Sequence, residues 1–166
     1  FTEMLGDKTG WLMGAMDKLT LDGVINLQAD GMDGVRFIAA SGGAIEVAKG
    51  TSIKSTLADL VISAREDVLM QEVSLESTRE VALRSLRDLQ LNQVSITAAD
   101  LVHLRASRNL DVDGLQLSQS LPSLIMEATT IRLSNVDFPS ATAVQLNSLK
   151  GPIDGRYPNF GTGVSL

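Results

Sequence analysis

Cysteine is absent from this 166-residue chain, so neither disulfides nor thiolate metal sites are available to it. Aromatic residues are scarce, 4% against 44% hydrophobic overall, so the core must be built from Leu, Ile, Val and Ala. Such side chains suit thin, repeated layers better than one bulky centre. An excess of positive charge is also lacking, the formal net charge being −6. That argues against nucleic-acid binding, which relies on a basic stripe, and against docking on anionic membranes. No apolar run approaches the roughly 18–20 residues that span a bilayer, and membrane insertion is not expected. No signal-peptide pattern is present. The chain opens on Phe1 rather than Met, which fits a processed product or a piece of a longer protein.

What is present is a repeat, the feature that decides the fold when it exists. From residue 73 the chain divides into blocks of 21: Val73 to Gln93, Val94 to Gly114, Leu115 to Asn135, and an incomplete one from Val136. Ile53 to Glu72 fits ahead of them with a single deletion. Stacking the blocks gives a first strand opening with Ile53, Val73, Val94, Leu115 and Val136. A second strand aligns Leu60, Val81, Val102, Leu124 and Val144, then Ile62, Leu83, Leu104, Met126 and Leu146. Its next inward position is always small: Ala64, Ser85, Ala106, Ala128, Ser148. A third strand aligns Val68, Leu89, Leu110 and Ile131, then Met70, Leu91, Val112 and Leu133.

Apolar residues two apart with polar ones between them mark half-buried strands. Three such strands per block turn one face each toward a common axis. The expected fold is therefore all-β, a parallel β-solenoid of about 21 residues and three strands per coil. A small inward residue fits a corner where inner faces converge. Ser77 to Gln90 taken alone looks amphipathic, but its apolar residues scatter across the heptad, against a coiled coil.

Three segments divide the chain: 1–18 as an N-terminal cap or linker, 19–150 as solenoid, and 151–166 as a C-terminal tail or cap. In the first, the alternation breaks down. Thr9 is placed to cap a short helix presenting Trp11, Leu12, Ala15, Met16 and Leu19, which would cover the open solenoid end. In the last, Gly151 to Gly163 is rich in Gly and Pro and contains the Tyr157–Phe160 stretch.

The stacked pattern carried by Val73–Ser77, Val81–Ser85, Val94–Ala98 and Val102–Ala106 resembles the β-helix of exported bacterial proteins. Filamentous-haemagglutinin-type adhesins and autotransporter passengers are the examples. The likeness covers about residues 19–150. It implies an elongated protein, extracellular or on the cell surface, and with the crossover rule it implies right-handed winding.

Chemistry is harder to find. An outward column of the second strand reads Ser63, Arg84, Arg105, Glu127 and Asn147, with coils about 4.8 Å apart. Arg84, Arg105 and Glu127 there suit either acidic sugars or a solvated face with one compensating ion pair. His103, the single histidine, shares a column with Val61, Ala82, Ile125 and Gln145, which holds no carboxylate for a triad or metal site. Asp111 and Asp113, with Asn92 and Ser134 nearby, read as turn chemistry rather than a cation site. Ser41-Gly42-Gly43 lacks the Lys-Ser/Thr of a phosphate loop. No cofactor or metal is expected, and no enzyme activity.

Val61, Ala82 and Ile125 are apolar in an outward column, so a covering layer is expected there: the N-terminal segment, or another subunit. The leading expectation is a non-catalytic scaffold that self-associates through its solenoid ends or mediates adhesion. A carbohydrate-binding or lyase-like module on cell-surface polysaccharide is the second. A cytoskeletal β-helix polymer is the third.

Overall fold

The computed structural model describes residues 2–4, 10–27, 36–56, 59–149, 154–156 and 164–165. They form a β-solenoid of three sheets, with nine, seven and five strands. One coil shows how it is made. Ser74–Ser77 lies in the five-stranded sheet, Glu80–Ser85 in the nine-stranded sheet, and Leu89–Asn92 in the seven-stranded sheet. Each strand pairs in parallel with its counterparts one coil before and one coil after. Val81, for example, stands between Leu60 and Val102, and Leu89 between Val68 and Leu110.

Alternation then does the rest. Leu60, Ile62, Val81, Leu83, Val102, Leu104, Leu124 and Met126 are fully buried. Val68, Leu89, Leu110 and Ile131 meet them from the seven-stranded sheet, and Ile53, Leu75 and Ile96 from the five-stranded one. Burying such a side chain is worth about 1.5–3 kcal/mol. A single coil could not enclose its own inner face, so the stack is the cooperative unit.

The small column sits at the corner where the six-residue strands end. In three coils, at Ser41, Ser85 and Ser148, its hydroxyl satisfies the bending backbone. Ser85 donates to the Glu66 carbonyl at 2.5 Å and accepts from the Arg87 amide at 2.9 Å. Ser41 donates to the Asp17 carbonyl and accepts from the Gly43 amide, both at 3.1 Å. Beyond the seven-stranded sheet the chain turns through a left-handed residue in coil after coil: Gly23, Gly50, Glu72, Gln93, Gly114 and Asn135. A second ladder fixes the spacing of coils at the start of that sheet. The Asp67 carboxylate accepts the Asp88 amide at 3.2 Å, and the Asp88 carboxylate accepts the Asn109 amide at 3.1 Å.

Three expectations are corrected. No helix occurs among the described residues, and Gly10–Ala15 is instead a strand in parallel register with Arg36–Ser41. A solenoid end offers unpaired backbone groups, and an extended segment satisfies them directly where a helix would only cover them. Next, Ile53 stacks on Leu75, not on Val73, whose level is taken by Thr51. That two-residue slip keeps the same side chains inward, so the burial pattern is unaffected. Finally, Gly10–Ala15 extends the nine-stranded sheet edge to edge, so this segment does not lie over Val61, Ala82 and Ile125.

Pairing also continues into both flanks. Thr2–Met4 folds back antiparallel on Gly10–Ala15, the one antiparallel pair described. Asp154–Arg156 and Val164–Ser165 join the seven- and nine-stranded sheets. The Tyr157–Phe160 stretch lies outside the described residues.

Candidate functional site

The six-residue strands make the broadest outer surface, and their register sets its columns. Ile38, Val61, Ala82, His103, Ile125 and Gln145 form one. Ala40, Ser63, Arg84, Arg105, Glu127 and Asn147 form the next, so Arg84, Arg105 and Glu127 are stacked on consecutive coils as the repeat implied. Ala82 is fully buried although its strand position faces outward, while Val61 and Ile125 are half-buried.

Glu127 is the best-connected group on this face. Its Oε2 lies 3.1 Å from His103 Nε2 and 3.9 Å from Arg105 Nε, and its Oε1 accepts from Asn147 Nδ2 at 3.3 Å. The hydrogen bond to His103 is the main reason its carboxyl is held below the ordinary Glu range. Partial burial opposes this, while the Asn147 bond and the His103 and Arg105 charges assist it. The cluster's contribution is therefore present above the ordinary Glu range and is lost as pH falls through the lowered value. The side chain is 36% exposed, so solvent screens these contacts.

Reading columns straight up the stack missed the His103–Glu127 pair. The residue directly opposite His103 is Ile125, and Glu127 is its diagonal neighbour two positions on. Diagonal neighbours on a sheet are within reach of long side chains. The signal was in the sequence, one column to the side. Arg105 and Asn147 adjoin the pair, and no group of three metal-ligating side chains occurs among the described residues.

Elsewhere the outer surface is laced with ion pairs between adjoining coils. Lys18–Glu46, Lys49–Glu72 at 2.7 Å, Lys54–Glu76 at 2.8 Å and Arg132–Asp111 at 3.0 Å are the closest. Asp111 is paired with Arg132 in this way, whereas Asp113 accepts a hydrogen bond from the neutral Asn135 Nδ2 at 2.7 Å. Together with Gln90, Asn92 and Ser134 they line a shallow groove of about 370 Å³ on the seven-stranded sheet. Gly42 and Gly43 have a structural reason: a Cβ there would lie 2.1 and 1.6 Å from the Met16 and Asp17 carbonyl oxygens of the preceding corner.

No described helix is long and apolar enough to cross a membrane. Compared with protein families, curated proteins and solved structures, the chain matches none of them.

Proposed function

We propose that this chain is a non-catalytic structural protein, a β-solenoid scaffold that works through its length and outer faces and associates end to end. The observation that carries the reading is the parallel sense of the stack. A parallel solenoid has two unlike ends, and the trailing edge of one copy matches the leading edge of the next. In the seven-stranded sheet those edges are Asp154–Arg156 and Leu19–Leu21. In the five-stranded sheet they are Gln116–Leu117 and Val24–Leu27. The antiparallel Thr2–Met4 strand closes the leading edge of the third sheet, which confines such contacts to the other two. The outer surface supports the same reading, since its charged groups are spent mainly on holding coil to coil. An address outside the cell or on its surface, and a role in adhesion, belong to this proposal through the resemblance of the repeat to exported β-helices.

Electron microscopy of the concentrated chain tests it. Uniform filaments with an axial rise equal to a whole number of ~4.8 Å coils are expected. Dispersed short rods at every concentration would overturn end-to-end assembly and leave only the outer faces as the working surface.

A further inference from the structure

We propose that the corner end of the nine-stranded sheet binds a linear polysaccharide with carboxylates on successive sugars, through Arg65, Arg84 and Arg105. The site is independent of whether copies assemble.

The starting point is where the ion-pair pattern fails. Among the described side chains, Lys18, Lys49, Lys54, Arg79, Arg87, Arg105, Arg108 and Arg132 all have a carboxylate of an adjoining coil within 4.0 Å. Arg65 and Arg84 have none, and both are exposed. Arg105 has only the 3.9 Å contact with Glu127, whose oxygens are already engaged by His103 and Asn147. These three arginines lie on three consecutive coils. Arg84 is directly opposite Arg105, and Arg65 is two residues beyond Ser63, the partner of Arg84 on the other side.

Stacked like charges repel unless an anion lies between them. At the same corner, two to three residues further along the chain, Arg87 and Arg108 are stacked in the same way, and there the chain supplies the anions: Glu66 and Asp67 for Arg87, Asp88 for Arg108. At Arg65, Arg84 and Arg105 an external ligand would have to supply them. Guanidinium groups bind carboxylates through paired N–H donors, and coils about 4.8 Å apart present Arg84 and Arg105 in line, with Arg65 on the preceding coil and diagonal to them, to a chain with regularly spaced charges. Ser107 and Asn147 line the adjoining groove with Arg105 and Glu127 and suit sugar hydroxyls.

The alternatives fit less well. A nucleic acid needs denser basic contact and stacking platforms, whereas this chain carries −6, and Phe37 and Phe138, the aromatics whose burial is described, are buried. Glu127, kept ionised, ends the row on one side and limits the ligand to about three coils.

Binding of the whole chain to polygalacturonate, by affinity electrophoresis and calorimetry, is the test, with dextran, polyglutamate and a single-stranded oligonucleotide as comparators. Polygalacturonate alone should be retained, and added salt should weaken it. The double substitution Arg65→Ala with Arg84→Ala should cost about tenfold or more in affinity. Arg108→Ala, which removes another exposed arginine but one paired with Asp88, should leave it unchanged, and Glu127→Gln should strengthen it. Thermal unfolding of each variant checks that the fold is kept. Failure of the native chain to bind, equal binding of polyglutamate or the oligonucleotide, or undiminished binding by a folded double variant would each overturn the proposal.

Discussion

The two halves of the solenoid reach the same cross-section by different means. After residue 73 the inner columns recur at nearly constant spacing, Leu75 above Ile96 above Leu117, and Leu89 above Leu110 above Ile131. Before it the coils are longer and unequal: Leu19 pairs with Ile45, Ile25 with Ile53, and Phe37 with Leu60. The extra residues go into the connections, and the strands of the nine-stranded sheet from Gly10–Ala15 to Ala143–Ser148 all keep six residues. Ion pairing differs in the same way. In the first half a Lys on one coil reaches a Glu on the next, as in Lys49–Glu72 and Lys54–Glu76. In the second half both orders occur, acid first in Asp88–Arg108 and Asp111–Arg132 and base first in Arg79–Asp100 and Arg105–Glu127. Coil stacking therefore depends on inward alternation and strand register, and it tolerates either coil length and either charge order.

The largest test of that comparison is at the corner. Gly43 lies against the Asp17 carbonyl, whereas the equivalent position two coils later is the exposed Arg87. Gly43→Ala should destabilise by about 3 kcal/mol, because a backbone group must move. Arg87→Ala should cost less than about 1 kcal/mol, as a solvent-exposed pair. Chemical denaturation of both variants checks this, and equal losses would mean that the two corners are packed alike.

Of intermediate size is the carboxylate ladder that holds the regular half in step. Asp88 accepts from both the backbone amide and the side-chain amide of Asn109, at 3.1 and 2.9 Å. Asp88→Ala should cost about 1–3 kcal/mol by leaving a part-buried amide unpaired. Faster hydrogen exchange should centre on Asn109, and a uniform increase along the chain would argue against a local register device.

The smallest effect should be a gain. The left-handed turn position is glycine at Gly23 and Gly50 in the first half, but Gln93 holds it in the second with φ 52°. Gln93→Gly should stabilise by about 1 kcal/mol by relieving that conformation, raising the unfolding midpoint. No gain would show that the Gln93 side chain over Gly114 contributes as much as its backbone costs.

Much of this architecture was legible in the residues. The second-strand and third-strand columns, from Leu60 to Val144 and from Val68 to Ile131, stack as the repeat indicated, and so do the small corner column and Arg84, Arg105 and Glu127. What escaped notice has physical causes. The slip of Ile53 onto Leu75 preserves inward and outward faces, so alternation carries no trace of it. The His103–Glu127 contact is diagonal, and a column-by-column alignment looks only straight across. Arg65 lies past the end of its strand, diagonal to Arg84 across one coil, so the Arg84–Arg105 column does not include it.

By itself, then, the sequence determined that the chain would coil, since period-2 alternation repeated every 21 residues leaves one apolar face per strand that only stacked neighbours can bury. Tertiary structure alone decided which neighbours meet. Hydrogen-bond register, corner geometry and edge pairing turned residues 10–15 into a strand, drew Glu127 to His103, and left Arg65 and Arg84 without carboxylate partners. Those outcomes depend on distances between coils, and no pattern along a single strand encodes a distance.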